Sequence, residues 1–89
     1  MRIKNMQNYE VMYHKILAKN VKLIRKKNKL SQEAFAEKIG CSREFVSRVE
    51  HLREKLSLKM VLKISYLFKI NPSNLFTEEV SRFNVLSLI

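Results

Sequence analysis

The sequence predicts an all-α fold of five helices in one small domain. Three observations support this prediction. Apolar residues recur at helical spacing along most of the 89 residues, a serine or asparagine precedes each of the last four apolar runs, and the chain contains one glycine and one proline. Hydrophobic residues make up 46% of the sequence and charged residues 29%, which is typical of a globular domain with a modest core.

The first helix is predicted from about Tyr9 to Asn28. Lysine and arginine residues fall largely between its apolar positions, as expected for a helix with one buried face. Residues 1–8 either fray or extend this helix backwards. The apolar positions at helical spacing are Met12, Tyr13, Ile16, Leu17, Val21, Leu23 and Ile24.

Two short helices should follow. Ser31 can cap the run "QEAFAEKI", with Glu33 in the first turn, where the helix dipole favours a negative charge. Gly40 then stands where a helix ends in the left-handed conformation, which penalises residues that carry a Cβ. Ser42 can cap the next run, "REFVSRVEHL". The apolar residues predicted on one face of that helix are Phe45, Val46, Val49 and Leu52.

Ser57 is predicted to cap a fourth helix, and Asn71 a short fifth helix with Pro72 at its first position. These helices complete a predicted domain of residues 1–76. Residues 77–89 form an apolar tail that is either a packing segment or a strand; it is a candidate dimerisation segment, and the alternative is that it folds back on the core. The residues of the fourth helix predicted to face inward are Val61, Leu62, Ile64, Leu67 and Phe68.

The charge of the chain predicts a polyanionic partner. Eighteen lysine and arginine residues oppose eight acids, giving a formal net charge of +10 and a sequence pI of about 10.1. Half of the basic residues lie within residues 1–29, together with one acid. A lysine-rich surface that is merely solvated is the alternative interpretation.

The sequence argues against enzymatic and metal chemistry. It contains one cysteine (Cys41) and two histidines (His14 and His51), which are too few for the usual four ligands of a zinc site. It contains no aspartate, which excludes a Ser-His-Asp relay. We therefore predict no catalytic activity, no metal and no cofactor. Cys41 is interpreted as an inert, buried thiol, with a redox switch as the alternative. No membrane span or secretory signal is apparent, which predicts a cytoplasmic protein without a membrane partner.

Two short helices joined by a tight glycine turn indicate a helix-turn-helix. The second helix crosses close to the first, so the position four residues after Gln32 must be small, and Ala36 occupies it. The sequence also supplies the turn residue and the apolar positions that the motif requires. These are Phe35, Ile39, Gly40, Val46 and Val49.

The stretch "IRKKNKLSQEAFAEKIGCSREFVSRVE" resembles the Cro/cI-type (XRE) helix-turn-helix domains of bacterial and phage repressors, and the resemblance continues to about Phe76. It implies a compact lambda-repressor-like DNA-binding domain. It also implies a structural ion pair between Arg25 and Glu50. The function implied is that of a sequence-specific transcriptional regulator, a repressor that binds a palindromic operator in double-stranded DNA as a homodimer.

The resemblance further implies which residues contact DNA. Gln32 should contact a phosphate, and Arg43 is the preferred candidate for a bidentate contact with guanine. Glu44 either accepts a hydrogen bond from cytosine or stabilises the start of its helix through the helix dipole. Arg48 reaches a base or a phosphate. The residues that should face the major groove are Ser42, Arg43, Glu44, Ser47 and Arg48. Those that should attract phosphates without regard to sequence are Lys26, Lys27 and Lys29.

The sequence departs from the family pattern in two turns. The segment "HLREKLSL" after Glu50 lacks the usual glycine and proline, so either the third helix runs longer or the loop takes another shape. The turn "FKIN" also lacks a glycine, and Lys69 or a neighbour must adopt any left-handed conformation there.

A second function is compatible with the same fold. The chain could be an antitoxin-type protein-interaction module that neutralises a toxin partner, with DNA binding secondary. A partner that co-purifies in stoichiometric amount would distinguish this function from that of a regulator that acts on DNA alone.

Overall fold

Four α-helices and one 3-10 helix make up the part of the chain that the computed structural model describes, residues 3–78. No strand occurs among these residues, and the predicted all-α class is confirmed. Residues 79–89, which include most of the predicted tail, lie outside the described part. The elements are α1 (Ile3–Lys27), α2 (Gln32–Ile39), α3 (Arg43–Glu50), α4 (Leu58–Phe68) and the 3-10 helix (Pro72–Phe76).

The prediction of a fifth helix needs a correction, because the segment forms a short 3-10 helix and not an α-helix. The Asn74 N–H donates to the Asn71 carbonyl at 2.9 Å, and the Thr77 N–H donates to the Asn74 carbonyl at 3.3 Å. Asn71 caps the segment as predicted, since its side chain accepts from the Ser73 N–H at 3.0 Å. Five residues are too few for an extended α-helical ladder, and short helical pieces commonly take the tighter 3-10 form.

The three predicted serine caps are confirmed. The hydroxyls of Ser31, Ser42 and Ser57 each accept from the backbone N–H three residues later, at 3.0, 3.0 and 3.1 Å. Each hydroxyl satisfies one of the N–H groups that lack an intrahelical partner at the start of a helix. The starts of α2, α3 and α4 are therefore encoded locally.

The first helix is longer than predicted, because it begins at Ile3 instead of Tyr9. Of the two alternatives for residues 1–8, fraying or backward extension, residues 3–8 adopt the second. They contain neither glycine nor proline, which would interrupt the helix. The buried residues of α1 lie between Ile16 and Ile24, whereas residues 6–13 are exposed. None of the helices within residues 3–78 has both the length and the apolarity that a membrane span requires.

One hydrophobic core holds the helices together, with α2 and α3 as its most closely packed pair. Four predicted core residues of these two helices are buried, with exposed fractions of 3% or less, and Phe45 packs half-buried against them. The four are Phe35, Ile39, Val46 and Val49. The predictions that Leu52 and Leu62 face inward are wrong, because they are 51% and 48% exposed. Leu52 lies beyond the end of α3, so the helical period no longer determines its direction.

Asn20 connects the end of the described chain to α1. The side chain of this asparagine is fully buried, and its amide nitrogen donates to the carbonyls of Leu75 (2.8 Å) and Thr77 (2.7 Å). Helical periodicity gave no sign of this role. The contact fixes where the 3-10 helix lies against α1.

All four α-helices end with the same left-handed turn. After α1, for example, the Leu30 N–H donates to the Arg25 carbonyl at 3.1 Å. The prediction for Lys69 is confirmed, but glycine occupies only one of the four positions. A residue with a Cβ in this conformation costs about 1 kcal/mol relative to glycine. The left-handed residues are Lys29 (φ 58°), Gly40 (φ 77°), Leu52 (φ 63°) and Lys69 (φ 55°).

Replacement of Lys69 by glycine should therefore stabilise the protein by up to about 1 kcal/mol. Gly40→Ala should have the opposite effect, because a residue with a Cβ is strained at the φ of 77°; the Lys63 Nζ, 2.9 Å from the new Cβ, ends a flexible side chain that can move away. Urea denaturation with unchanged m-values would measure both effects. As a control, Lys59→Gly, within α4, should lower the free energy of unfolding. A higher free energy of unfolding for Lys59→Gly, or no increase for Lys69→Gly, would contradict the explanation by backbone conformation.

Candidate nucleic-acid interface

The outward face of α3 carries the residues predicted to read DNA. Ser42, Arg43, Glu44 and Arg48 are exposed, and Ser47 is half-buried. We call these five residues the recognition surface. On the opposite face, Val46 and Val49 are buried against the core. Residues three and four apart lie on the same side of a helix, so the polar side chains form one contiguous surface.

An ion pair fixes the end of α3 against α1. Arg25 Nε lies 2.7 Å from Glu50 Oε2, and Arg25 Nη2 lies 3.0 Å from Glu50 Oε1. The remaining terminal nitrogen of the guanidinium donates to the Leu30 carbonyl at 3.0 Å. The two side chains are only 12% and 3% exposed, so each would be poorly solvated without the other.

Gln32, the residue predicted to contact a phosphate, also binds the carboxylate of this ion pair. Its amide nitrogen donates to Glu50 Oε1 at 3.1 Å. An amide nitrogen carries two hydrogens, so Gln32 can hold Glu50 with one hydrogen and offer the other to an anion. The phosphate contact stays a prediction.

The pKa of Glu50 is lowered below its ordinary value of 4.5. Burial alone would raise this pKa, but the hydrogen bonds from Arg25 and Gln32 and the positive charges of Arg25 and Lys22 outweigh that effect. Glu50 therefore remains ionised at neutral pH and acts as a structural anchor.

Both arginines of the recognition surface lie beside carboxylates. Arg43 is 3.5 Å from Glu44, and Arg48 is 3.3 Å from Glu54. These side chains are 40–63% exposed, and exposed ion pairs are worth about 0–1 kcal/mol. The arginines can thus exchange a carboxylate for a phosphate or a base at little cost.

The sequence did not reveal the roles of Glu54 and His51. Glu54 stands six residues after Arg48, which is not a helical spacing, and the left-handed turn at Leu52 brings it back. His51 Nδ1 lies 2.8 Å from the Ser47 carbonyl, which can only accept, so Nδ1 carries the hydrogen. The spacing of four between Ser47 and His51 was a signal that could have revealed this contact.

The predicted phosphate-attracting lysines lie at the end of α1 and in the turn after it. Lys26, Lys27 and Lys29 are all exposed. They follow Arg25, whose guanidinium holds Glu50 at the end of α3. The Arg25–Glu50 ion pair therefore connects this basic segment to the helix that carries the recognition surface.

Cys41, beside the turn glycine, packs half-buried against the core, so its predicted burial is only partial. Burial raises the pKa of this thiol, and the charge of Lys63 offsets the effect only in part. The thiol is therefore mostly protonated at neutral pH, which disfavours the redox switch.

The fold and the helix-turn-helix define the class of the protein as a DNA-binding transcriptional regulator. More narrowly, the chain belongs to the XRE-type helix-turn-helix family, whose model matches residues 21–75. The matched part runs from within α1 to the 3-10 helix and includes both α2 and α3.

A solved structure with the same fold is the crystal structure of a hypothetical transcription factor, NHTF, from Neisseria. The two chains are 27% identical and superpose with a TM-score of 0.70. The similarity covers 82% of this chain and 84% of the Neisseria chain. A comparison with curated proteins gives no match.

The ion pair between α1 and α3 predicts acid-sensitive stability. Glu50→Gln should lower the free energy of unfolding by about 3 kcal/mol, because it leaves Arg25 buried without a counter-charge. Since the pKa of Glu50 is lower in the folded protein, the contribution is present above pH 4.5 and is lost as the pH falls through the folded-state pKa.

Urea denaturation of both proteins between pH 7 and pH 3 would measure this effect. The difference between the wild type and Glu50→Gln should shrink as the pH falls. Glu54→Gln, in an exposed pair, serves as the matched control and should cost less than about 1 kcal/mol. Equal losses for the two variants would show that the Arg25–Glu50 pair is not an anchor.

Proposed function

We propose that the protein is a sequence-specific repressor that binds a palindromic operator as a homodimer and inserts α3 into the major groove. The observation that carries the proposal is the two-sided character of α3. Its apolar side is locked to the core by Val46 and Val49, while its polar side faces outward with two arginines. An exposed, rigidly held helix of this kind fits the major groove.

Within this proposal, Arg43 reads guanine through its two parallel N–H groups, and Arg48 contacts a second base or a phosphate. Ser42 and Ser47 add hydroxyl contacts, and Glu44 selects cytosine or remains with Arg43. Gln32, at the start of α2, binds a phosphate, where free backbone N–H groups also favour an anion.

The charge distribution supports non-specific attraction to the phosphate backbone. The formal net charge of the chain is +10, and Lys26, Lys27 and Lys29 lie exposed beside the ion pair that holds α3. Their contribution weakens with added salt, because each neutralised phosphate releases counterions. These lysines therefore strengthen binding without selecting a sequence.

A homodimer and repression complete the proposal. One α3 of eight residues reaches only a few base pairs, whereas two copies on a two-fold site read two successive major grooves. A dimer bound across a promoter blocks access to it. Residues 1–76 form the DNA-binding domain in this proposal, and the predicted role of residues 77–89 in dimerisation stays a prediction.

Selection of bound sequences from a random pool of duplex DNA tests the proposal. The wild type should enrich one palindromic motif. Arg43→Ala should relax the preference at one position in each half-site, with a loss of about 1–3 kcal/mol for the preferred base.

Lys27→Ala is the matched control for charge. It should weaken binding to all sequences uniformly and reduce the dependence on salt by about one counterion, without changing the motif. Salt-sensitive binding by the wild type without any enriched motif would refute sequence-specific recognition and leave a general polyanion binder.

One observation favours the antitoxin-type alternative. An exposed apolar row runs along α4 at intervals of four residues and consists of Leu58 (65% exposed), Leu62 (48%) and Tyr66 (83%). We call it the α4 stripe. Exposed Lys59 and Lys63 flank it, which suits an acidic protein partner. A stoichiometric, acidic toxin partner that is lost on Tyr66→Glu would support this alternative.

A further inference from the structure

The N-terminal half of α1 presents an apolar row of its own. We call it the α1 stripe: Met6 (57% exposed), Tyr9 (63%), Met12 (41%) and Tyr13 (37%). Met6, Tyr9 and Tyr13 follow the spacing of three and four residues by which helices pack against one another. The rings of Tyr9 and Tyr13 are stacked, with centroids 6.1 Å apart.

The α1 stripe has little support from the rest of the described chain. Tyr13 contacts Phe76 with centroids 6.4 Å apart, and Lys55 donates to Glu10. The buried residues of α1 begin only at Ile16. A helical segment with this much exposed apolar surface gains stability by packing against another helix.

The charge of the α1 stripe indicates its partner. Residues 5–13 contain one charged side chain, Glu10, and that carboxylate is paired with Lys55. At the α4 stripe, by contrast, a second copy of this +10 chain would meet the exposed Lys59 and Lys63. Two copies can therefore approach along the α1 stripe with less repulsion than along the α4 stripe.

We propose that two copies of the chain associate through the α1 stripe, helix against helix, about a two-fold axis. This inference rests on the proposed function and assigns the contact surface of the homodimer. Tyr9 lies in the middle of the stripe, and a two-fold contact centred on the stripe brings the two copies of its central residue together.

The size of the α1 stripe sets the strength of the dimer. These four side chains are 37–63% exposed, so they can bury roughly 400 Å² per protomer, given about 150–250 Å² for a fully covered aromatic side chain. A stable interface buries about 800 Å² per partner. The dimer should therefore be weak in solution and should form fully on a two-fold DNA site, where both copies are held together.

Sedimentation equilibrium of the full chain over a range of concentrations tests this inference. The wild type should shift from monomer to dimer as its concentration rises. Tyr9→Glu should raise the dimer dissociation constant at least about tenfold, because it places two carboxylates against each other at the centre of the contact. Circular dichroism would confirm that the variant remains folded.

Two control variants separate the competing surfaces. Tyr66→Glu makes the same change on the α4 stripe and should leave the dissociation constant unchanged. Leu86→Glu tests the competing prediction that the apolar tail holds the dimer, and it should also leave the constant unchanged if the α1 stripe is the contact. Dissociation caused by either control but not by Tyr9→Glu would overturn the assignment to α1. A wild type that stays monomeric at every concentration would do the same.

Binding to a single operator half-site distinguishes failure of this inference from failure of the proposed function. Tyr9→Glu should bind a half-site as well as the wild type does and lose only the cooperative gain on the complete palindrome. A wild type that enriches a motif but never dimerises refutes the α1 contact alone. If neither protein prefers any sequence, the proposed function itself fails.

Discussion

The position of α3 depends on one partly shielded carboxylate. Glu50, at the end of α3, receives hydrogen bonds from Arg25 of α1 and Gln32 of α2, and Arg25 also holds the Leu30 carbonyl. Three helices thus meet at the Glu50 carboxylate, and Arg25 links the turn between α1 and α2 to it. An ion pair with little exposure is costly to break, because the remaining partner is left poorly solvated. Glu50 therefore holds the exposed face of α3 in place.

The helix ends show how the chain combines short helices with few glycines. Each α-helix stops in a left-handed turn, and only Gly40 adopts it without the penalty of a Cβ. At Leu52 this turn redirects the chain so that Glu54 reaches Arg48. The strained turn after α3 therefore affects the recognition surface as well as the path of the loop.

The surface divides into regions of different charge. The end of α1 presents exposed lysines, α3 presents arginines beside carboxylates, and the α1 stripe carries almost no charge. Positive charge far from zero favours a polyanion and opposes contact between copies. A region with little charge is therefore where two copies of such a chain can meet, while the basic regions remain free for DNA.

The sequence by itself determined the starts of α2, α3 and α4, the left-handed Gly40 and the buried faces of α2 and α3, because caps, turns and helical periodicity are local properties. Only the tertiary structure decided that Asn20 holds the end of the 3-10 helix, that Leu52 and Leu62 face solvent, and that Gln32 joins Glu50. The contacts of Asn20 and Gln32 depend on partners distant in sequence, and the direction of Leu52 depends on the path of the chain after a helix ends. The exposure of Leu62 depends on which side of α4 packs against the core. A local pattern carries no information about any of these.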